Sequence, residues 1–253
     1  MDTQSVAEFN ENGAYVVPSV LKASTVLALH RELTDAIEQD SLTYGDVFDA
    51  GMVHNCHMRG EKMLALLDDE IFNSWTQLLL HRSCIMYAYQ SSSLAPGSGN
   101  FGSRIHVDCP RYIPDYITNL GIIFPLDDFT EENGATHYLP GSHLHEELPS
   151  ETEFHGNSKR IIAKAGDMII FNGRLVHAAG TNQTNIHRHS LTINLCRHFM
   201  RQRFDYPRML TERELTRMGP DARRLLGMNV RIPATLEEFY LPEEDRLYKG
   251  GQE

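Results

Sequence analysis

His106 and Asp108 stand two residues apart in the stretch "SRIHVDC" (103–109), among apolar and β-favouring neighbours. Side chains of an extended strand alternate between faces, so residues i and i+2 look the same way, about 6.6 Å apart. An imidazole and a carboxylate on one face can aim at one metal ion. The same alternation puts Arg104 beside them and sends Ile105, Val107 and Cys109 to the other side. Two ligands do not make a site, however, and the third candidate lies well downstream. His177 sits in the apolar run "RLVHAA" (174–179), and after the turn-rich "GTNQTN" the chain resumes as a β-type run carrying Arg188. A hairpin between these runs sets Arg188 next to the strand of His177. Along the returning strand Arg188, Ser190, Thr192 and Asn194 share one face, and His187, His189, Leu191 and Ile193 the other.

Two neutral imidazoles and a carboxylate on one side of an ion leave three positions open, which is the facial triad of non-haem Fe(II) oxygenases. A 2-oxo acid chelates such an ion through its C1 carboxylate and keto oxygen. Its far carboxylate then needs a fixed cation, which Arg188 beside a hydroxyl can supply as a bidentate partner. Oxygen takes the last position.

The elements that must position these residues are legible in outline. Val26, Leu29, Leu33 and Ile37 recur at helical spacing behind Ser24 as N-cap, predicting a helix over 25–39. Leu64, Leu67, Ile71, Trp75 and Leu78 predict a second over about 61–81. From residue 84 onward the pattern turns to short β runs, at 84–89, 103–109, 118–126, 136–140, 159–164, 167–171, 174–179 and 187–199, separated by turn chemistry such as "ENGA" and "PGSH". "SSSLAPGSGNFGS" (91–103) reads as a loop. Eight strands in this arrangement predict a mainly β protein with flanking α-helices, its core a barrel or a double-sheet jelly roll. The charged tail from about 205 holds "RMLTEREL" and "ATLEEFY", short helices that cover the barrel. No Gly/Ser/Pro linker or repeat divides the 253 residues, so one domain is expected over 1–253: helical to about 83, jelly roll over 84–200, covering segment over 201–253.

A net charge of −11 argues against nucleic acid or an anionic membrane as partner. The four cysteines, Cys56, Cys84, Cys109 and Cys196, form no CxxC pair and fit structural thiols in a reducing compartment. With no long apolar run and no signal-like start, a cytoplasmic protein acting on a small molecule is expected. Oligomeric state leaves no mark in the sequence.

Between about residues 84 and 207 the chain resembles the phytanoyl-CoA dioxygenase-like branch of the Fe(II)/2-oxoglutarate oxygenases. The likeness rests on "HVD" (106–108), "LGIIFPLDDFTEENGATHYLPGSH" (120–143), "GDMIIFNGRLVHAAGTNQT" (166–184) and Arg188 at the family's separation from the distal histidine. The resemblance implies a double-stranded β-helix core, the cupin-like jelly roll, and Fe(II), 2-oxoglutarate and O2 as reaction partners. It implies His106, Asp108 and His177 as iron ligands, Arg188 as anchor of the 2-oxoglutarate C5 carboxylate, and Ser190, in an R-x-S pattern, as a second contact. Phe124 stands where the family usually carries tryptophan near the co-substrate, and Thr118 shares its parity. The family's N-terminal lysine has no counterpart in "FDAGMVHNCHMRG" (48–60). The implied activity is oxidation of a small polar molecule, hydroxylation foremost, in natural-product or sugar tailoring. Asp108 speaks against halogenation, since halogenases of this superfamily replace the carboxylate ligand.

Other residues carry weaker expectations. Arg104 either holds an anionic group of the substrate or pairs with a carboxylate, and Tyr87 and Tyr89 offer hydroxyls or packing at the pocket edge. His143 and His145 in "GSHLHEE" read as an exposed loop, the rival being a cupin-type metalloenzyme such as an isomerase. His187 and His189 read as sheet-surface histidines. His54, Cys56 and His57 read as solvated or lining the substrate entrance, one ligand short of a zinc site. No basic groove for an acyl-CoA's phosphates is visible. The remaining alternative is a non-catalytic relative that senses a small molecule with the same pocket.

Overall fold

The apolar and polar alternation after residue 84 has to bury one side of each strand against something, and the chain does this twice. A computed structural model, describing residues 3–45, 52–99 and 101–249, shows two antiparallel sheets. The larger contains β1 (Ala14–Val17), β2 (Ile85–Leu94), β3 (Asn119–Pro125), β6 (Met168–Asn172) and β8 (Arg188–Cys196) in the order β1-β6-β3-β8-β2. The smaller contains β4 (His137–Tyr138), β5 (Lys159–Arg160) and β7 (His177–Ala178) in the order β5-β4-β7. This is the jelly roll expected, again with eight strands among the described residues, but "AYVV" (14–17) joins by pairing with β6 while 103–109 drops out.

One face of the large sheet meets helices. Leu120, Ile122 and Phe124 of β3 and Leu191, Ile193 and Leu195 of β8 form a buried cluster with Leu29 and Leu33 of α2 (Ala23–Tyr44) and Phe72 and Trp75 of α4 (Glu70–Leu79). The opposite face looks toward the small sheet, where Phe129, Ile161, Ile169 and Phe171 make a second core. Gly121 is required there, because a Cβ at that position would lie 1.9 Å from the Phe171 ring.

The helices depart from their predicted bounds for identifiable reasons. Helix α2 runs to Tyr44, and Lys22 rather than Ser24 occupies its N-cap. The stretch read as one helix over 61–81 is α3 (Glu61–Ala65), a 3-10 turn (Leu66–Asp68) and α4. Asp69 breaks it by turning extended (ψ 129°) and capping α4, its carboxylate accepting the Phe72 N–H at 2.9 Å. Asp68 is drawn elsewhere: it accepts the N–H groups of Gly219 and Ala222, both at 2.9 Å, at the start of α8 (Pro220–Leu225), a helix the sequence did not reveal. The tail otherwise holds short helices including Glu212–Leu215 and Leu236–Phe239.

Two strand expectations change. Ser91–Leu94, read as loop, complete β2 by pairing with Leu191–Arg188 of β8, so ladder hydrogen bonds outweigh weak serine propensity. Conversely "SRIHVDC" is no regular strand. It contributes a single bridge, His106 opposite His177, yet alternation persists locally, since Ile105 and Val107 turn away to pack near Phe154 and Val176.

Candidate metal and co-substrate site

The bridge between "SRIHVDC" and β7 is what assembles the site. His106 N–H donates to His177 O at 3.0 Å and His177 N–H to His106 O at 2.9 Å, so the two residues lie directly opposite each other. Their rings stand side by side, centroids 4.3 Å apart and tilted by 49°. Nε2 of His106 is 3.5 Å from Asp108 Oδ1, and Nε2 of His177 is 3.9 Å from the same oxygen. One ligand atom from each residue lies within 4.8 Å of the others.

Each side chain is also held from behind. Nδ1 of His106 is 2.7 Å from Arg104 O, and Nδ1 of His177 is 2.9 Å from Leu175 O. A carbonyl can only accept, which places the proton on Nδ1 and leaves the Nε2 lone pairs facing Asp108. Asp108 Oδ2 accepts from Asn194 Nδ2 at 2.7 Å, freeing Oδ1. Burial pushes the His177 pKa below its usual value, keeping the ring neutral. Asp108 feels an upward push from burial, but the two neighbouring rings and the Asn194 amide bring it below the ordinary carboxylate range, and the adjacent Asp108 carboxylate in turn raises the His106 pKa. Two imidazoles whose Nε2 atoms face an ionised carboxylate, each ring held from behind, are a donor set that fits a first-row divalent cation such as Fe(II). Replacing Asn194 with alanine is expected to weaken metal binding by about 10–100-fold with the fold intact, measured by metal titration of the stripped protein.

A cavity of about 310 Å³ opens at Asp108 and is lined also by Asn119, Asn194, Tyr87, Gln90 and Arg203. Asn194 belongs to the face of β8 that carries Ser190 and Arg188. Arg188 is 2% exposed, and its Nη1 donates to Gly134 O. Its guanidinium lies 4.0 Å from the Phe129 ring centroid. Its Nε, fully buried, has no hydrogen-bond partner among the described residues. Burial lowers the Arg188 pKa to about 10, so it remains a cation at neutral pH, with the Asp127 carboxylate opposing the shift. A buried cation with an orphaned donor fits a site meant for an anion. Ser190 is buried beside it, its Oγ donating to Ser92 O at 3.0 Å.

Several sequence-derived candidates lie elsewhere. Phe124 pairs with Leu191 and so lies on the helix-facing side, 5.9 Å from the Phe72 ring centroid, with none of its surface exposed. It is a core residue and not a wall of the co-substrate pocket. Phe124→Ala should therefore cost about 3–5 kcal/mol of stability, read by denaturant unfolding, without a selective rise in KM for 2-oxoglutarate. Thr118 precedes β3 with its Oγ1 3.4 Å from Cys109 Sγ, and lines a separate cavity of about 380 Å³ with Arg174 and Tyr112.

Tyr87 and Tyr89 would share a face in a regular strand, but a bulge between Met86 and Ala88 separates them. Tyr87 is 39% exposed and lines the Asp108 cavity, whereas Tyr89, at 1%, joins the helix-side core. Arg104 is exposed, and its carbonyl reaches the site by orienting His106.

The remaining histidine readings also change. His143 is buried, not on an exposed loop, with Nε2 3.1 Å from Asn10 O, and it joins no metal-type cluster among the described residues. Cys56 and His57 are buried against Tyr89 and Tyr206 instead of lining an entrance. His189 is 9% exposed and thus no surface residue. All four cysteines are buried free thiols, as expected of structural ones.

Sequence reasoning had noted Asn194 only by parity and had missed Arg203 altogether. Arg203 lies in the tail, its N–H on Tyr87 O at 3.0 Å and its Nη1 on Gln90 Oε1 at 3.1 Å. With Met200 it also borders a larger cavity of about 860 Å³ lined by Arg201, Arg208 and Arg231. Asp205 and Glu238 share this lining, so the cavity is of mixed charge. No helix among the described residues is long and apolar enough to cross a membrane.

Residues 9–190 match the family described as phytanoyl-CoA dioxygenase. The uncharacterised protein Rv1501 of Mycobacterium tuberculosis is 35% identical over 152 residues, which cover 60% of this chain and 56% of that one; the chain thus spans little more than half the length of this relative. Dioxygenase FUM3 of Gibberella moniliformis is 23% identical over 265 residues, covering 94% of this chain and 86% of its own. Among solved structures, SnoK, a non-haem α-ketoglutarate-dependent carbocyclase from nogalamycin biosynthesis, shares the fold with a TM-score of 0.60 at 20% identity, over 78% of this chain and 84% of that one.

Proposed function

The chain belongs to the phytanoyl-CoA dioxygenase family, and we propose that it is an Fe(II)- and 2-oxoglutarate-dependent oxygenase acting on a small polar molecule, with succinate and CO2 as co-products. One observation carries this reading. His106, Asp108 and His177 converge on one point with their outer atoms already bonded, while Arg188, buried on the Asn194 face of β8, keeps an unpartnered donor. Fe(II), when bound with 2-oxoglutarate, supplies the O2-dependent oxidation of an unactivated C–H bond that no side chain can perform.

The chain's own residues bind, orient and shield. Asp108 contributes the one negative charge of the ligand set, leaving net positive charge for a chelating anion. Arg188 receives the C5 carboxylate, the Ser190 hydroxyl turning from Ser92 O to join it, and the guanidinium is prepositioned over the Phe129 ring, so little side-chain entropy is lost on binding. Phe129 and Phe171 keep water from that end, which strengthens the charge pair. Tyr87, Gln90 and Arg203 border the mouth, where a hydroxylated or anionic substrate finds donors.

Hydroxylation is the reaction we assign, in natural-product or sugar tailoring; SnoK's carbocyclisation shows how the fold can direct an oxidation to another outcome. Residues 1–253 act as one domain in this reading, since α2, α4, β8 and Leu225 of α8 share a single buried cluster. The test is O2-dependent succinate formation from 2-oxoglutarate with Fe(II), screened for stimulation by candidate substrates. If the wild-type protein binds neither Fe(II) nor 2-oxoglutarate, the reading is lost.

A further inference from the structure

A second group of two imidazoles and a carboxylate lies on the other side of β8. His30 of α2, Asp127 just after β3 and His189 of β8 each place a ligand atom within 4.8 Å of the other two. His30 Nε2 is 3.8 Å from Asp127 Oδ1, and the His30 and His189 rings meet edge to face with centroids 4.9 Å apart. The chain brings these residues together from sequence positions about 60 to 160 apart.

The resemblance to the first triad extends to how the ligands are held. His189 Nδ1 is engaged by Ser93 Oγ at 2.7 Å, which leaves Nε2 for a ligand role. Asp127 Oδ2 accepts the backbone N–H of His189 at 2.7 Å, which leaves Oδ1, the oxygen facing His30. A histidine tied through its far nitrogen and a carboxylate tied through its far oxygen are the arrangement that supports metal ligands from behind. His189 is almost fully buried, whereas the His30 and Asp127 side chains are 34% and 32% exposed. The site therefore opens to solvent on one side, where water completes the coordination.

We propose that His30, Asp127 and His189 form a second metal site that takes a divalent first-row cation of the zinc class. Three N/O ligands and one open position suit Zn(II). The ion ties α2 to β8 and to the end of β3, joining the helical layer to the sheet whose opposite face carries Arg188. Nothing in this inference depends on the oxygenase reading.

Cobalt(II) and zinc(II) titrations of the chelator-stripped full chain test it. The wild type is expected to take up two ions per chain, His30→Gln one, His106→Ala/His177→Ala one, and the three substitutions together none. His30 is partly exposed on a helix, so its replacement leaves folding intact, and His189→Gln serves as a second removal. Ser93→Ala should weaken the second site by about 10–100-fold. In the His106→Ala/His177→Ala protein, zinc should raise Tm, and adding His30→Gln should abolish the rise. Uptake that is unchanged by both His30→Gln and His189→Gln overturns the proposal. Uptake unchanged by His106→Ala/His177→Ala but lost with His30→Gln instead sinks the first site and upholds the second.

Discussion

Asp108→Ala is expected to lower 2-oxoglutarate turnover by more than about 100-fold while the protein stays folded. The figure exceeds the ~10–100-fold cost of removing a group that merely supports a ligand, because Asp108 is itself the only carboxylate in the cluster. Its Oδ1 faces both imidazoles at 3.5 and 3.9 Å, so no other oxygen can take its place. Loss of the charge weakens the hold on any divalent ion, and Asn194 loses its acceptor. Folding should suffer little, since the side chain remains a quarter exposed and packs no core. Metal content, succinate yield and Tm should be measured together. Retained turnover at wild-type metal content would remove Asp108 from the ligand set.

Arg188→Leu should raise KM for 2-oxoglutarate steeply without a matching loss of stability. Truncating one partner of a buried, hydrogen-bonded charge pair costs about 2–5 kcal/mol, or roughly 30-fold to several-thousand-fold in affinity. The effect on folding has the opposite tendency. In the absence of an anion Arg188 is a desolvated cation with an unpartnered Nε, and a leucine against Phe129 relieves both costs. Arg188→Lys should fall between the two, since it keeps a charge but loses the planar fork. Initial rates against 2-oxoglutarate concentration and unfolding curves separate these effects. A KM within about threefold of wild type in Arg188→Leu would refute the anchor role.

The legible part of the site was the part governed by local alternation. "HVD" placed His106 and Asp108 together even though no regular strand formed, because Ile105 and Val107 still sought the apolar side. On β8 the same rule put Arg188, Ser190 and Asn194 on one face. Phe124 shows where the rule stops. Its own alternation along β3 was readable, but which face looks at the site depends on pairing with Leu191, which no residue near Phe124 encodes. Tyr89, unlike Tyr87, failed for a related reason, since the bulge between Met86 and Ala88 turns the two rings to different sides. The helix over 61–81 broke because Asp68 and Asp69 found backbone donors to cap, one of them more than a hundred residues away.

The sequence by itself determined the fold class, the three candidate metal ligands and the arginine six residues before Asn194 on the same face. The strand and helix runs and the pairing of His106 with Asp108 follow from residue type and short-range periodicity, which act through the backbone over a few residues, and the motifs shared with the family join His177 and Arg188 to them. Only the tertiary structure decided the support of each ligand by Arg104 O, Leu175 O and Asn194, the entry of Arg203 into the Asp108 cavity, the burial of Phe124 on the helix side, and the meeting of His30, Asp127 and His189. Strand register and helix docking are set by burial summed over the whole core, and that sum has no local signature for a single residue to display.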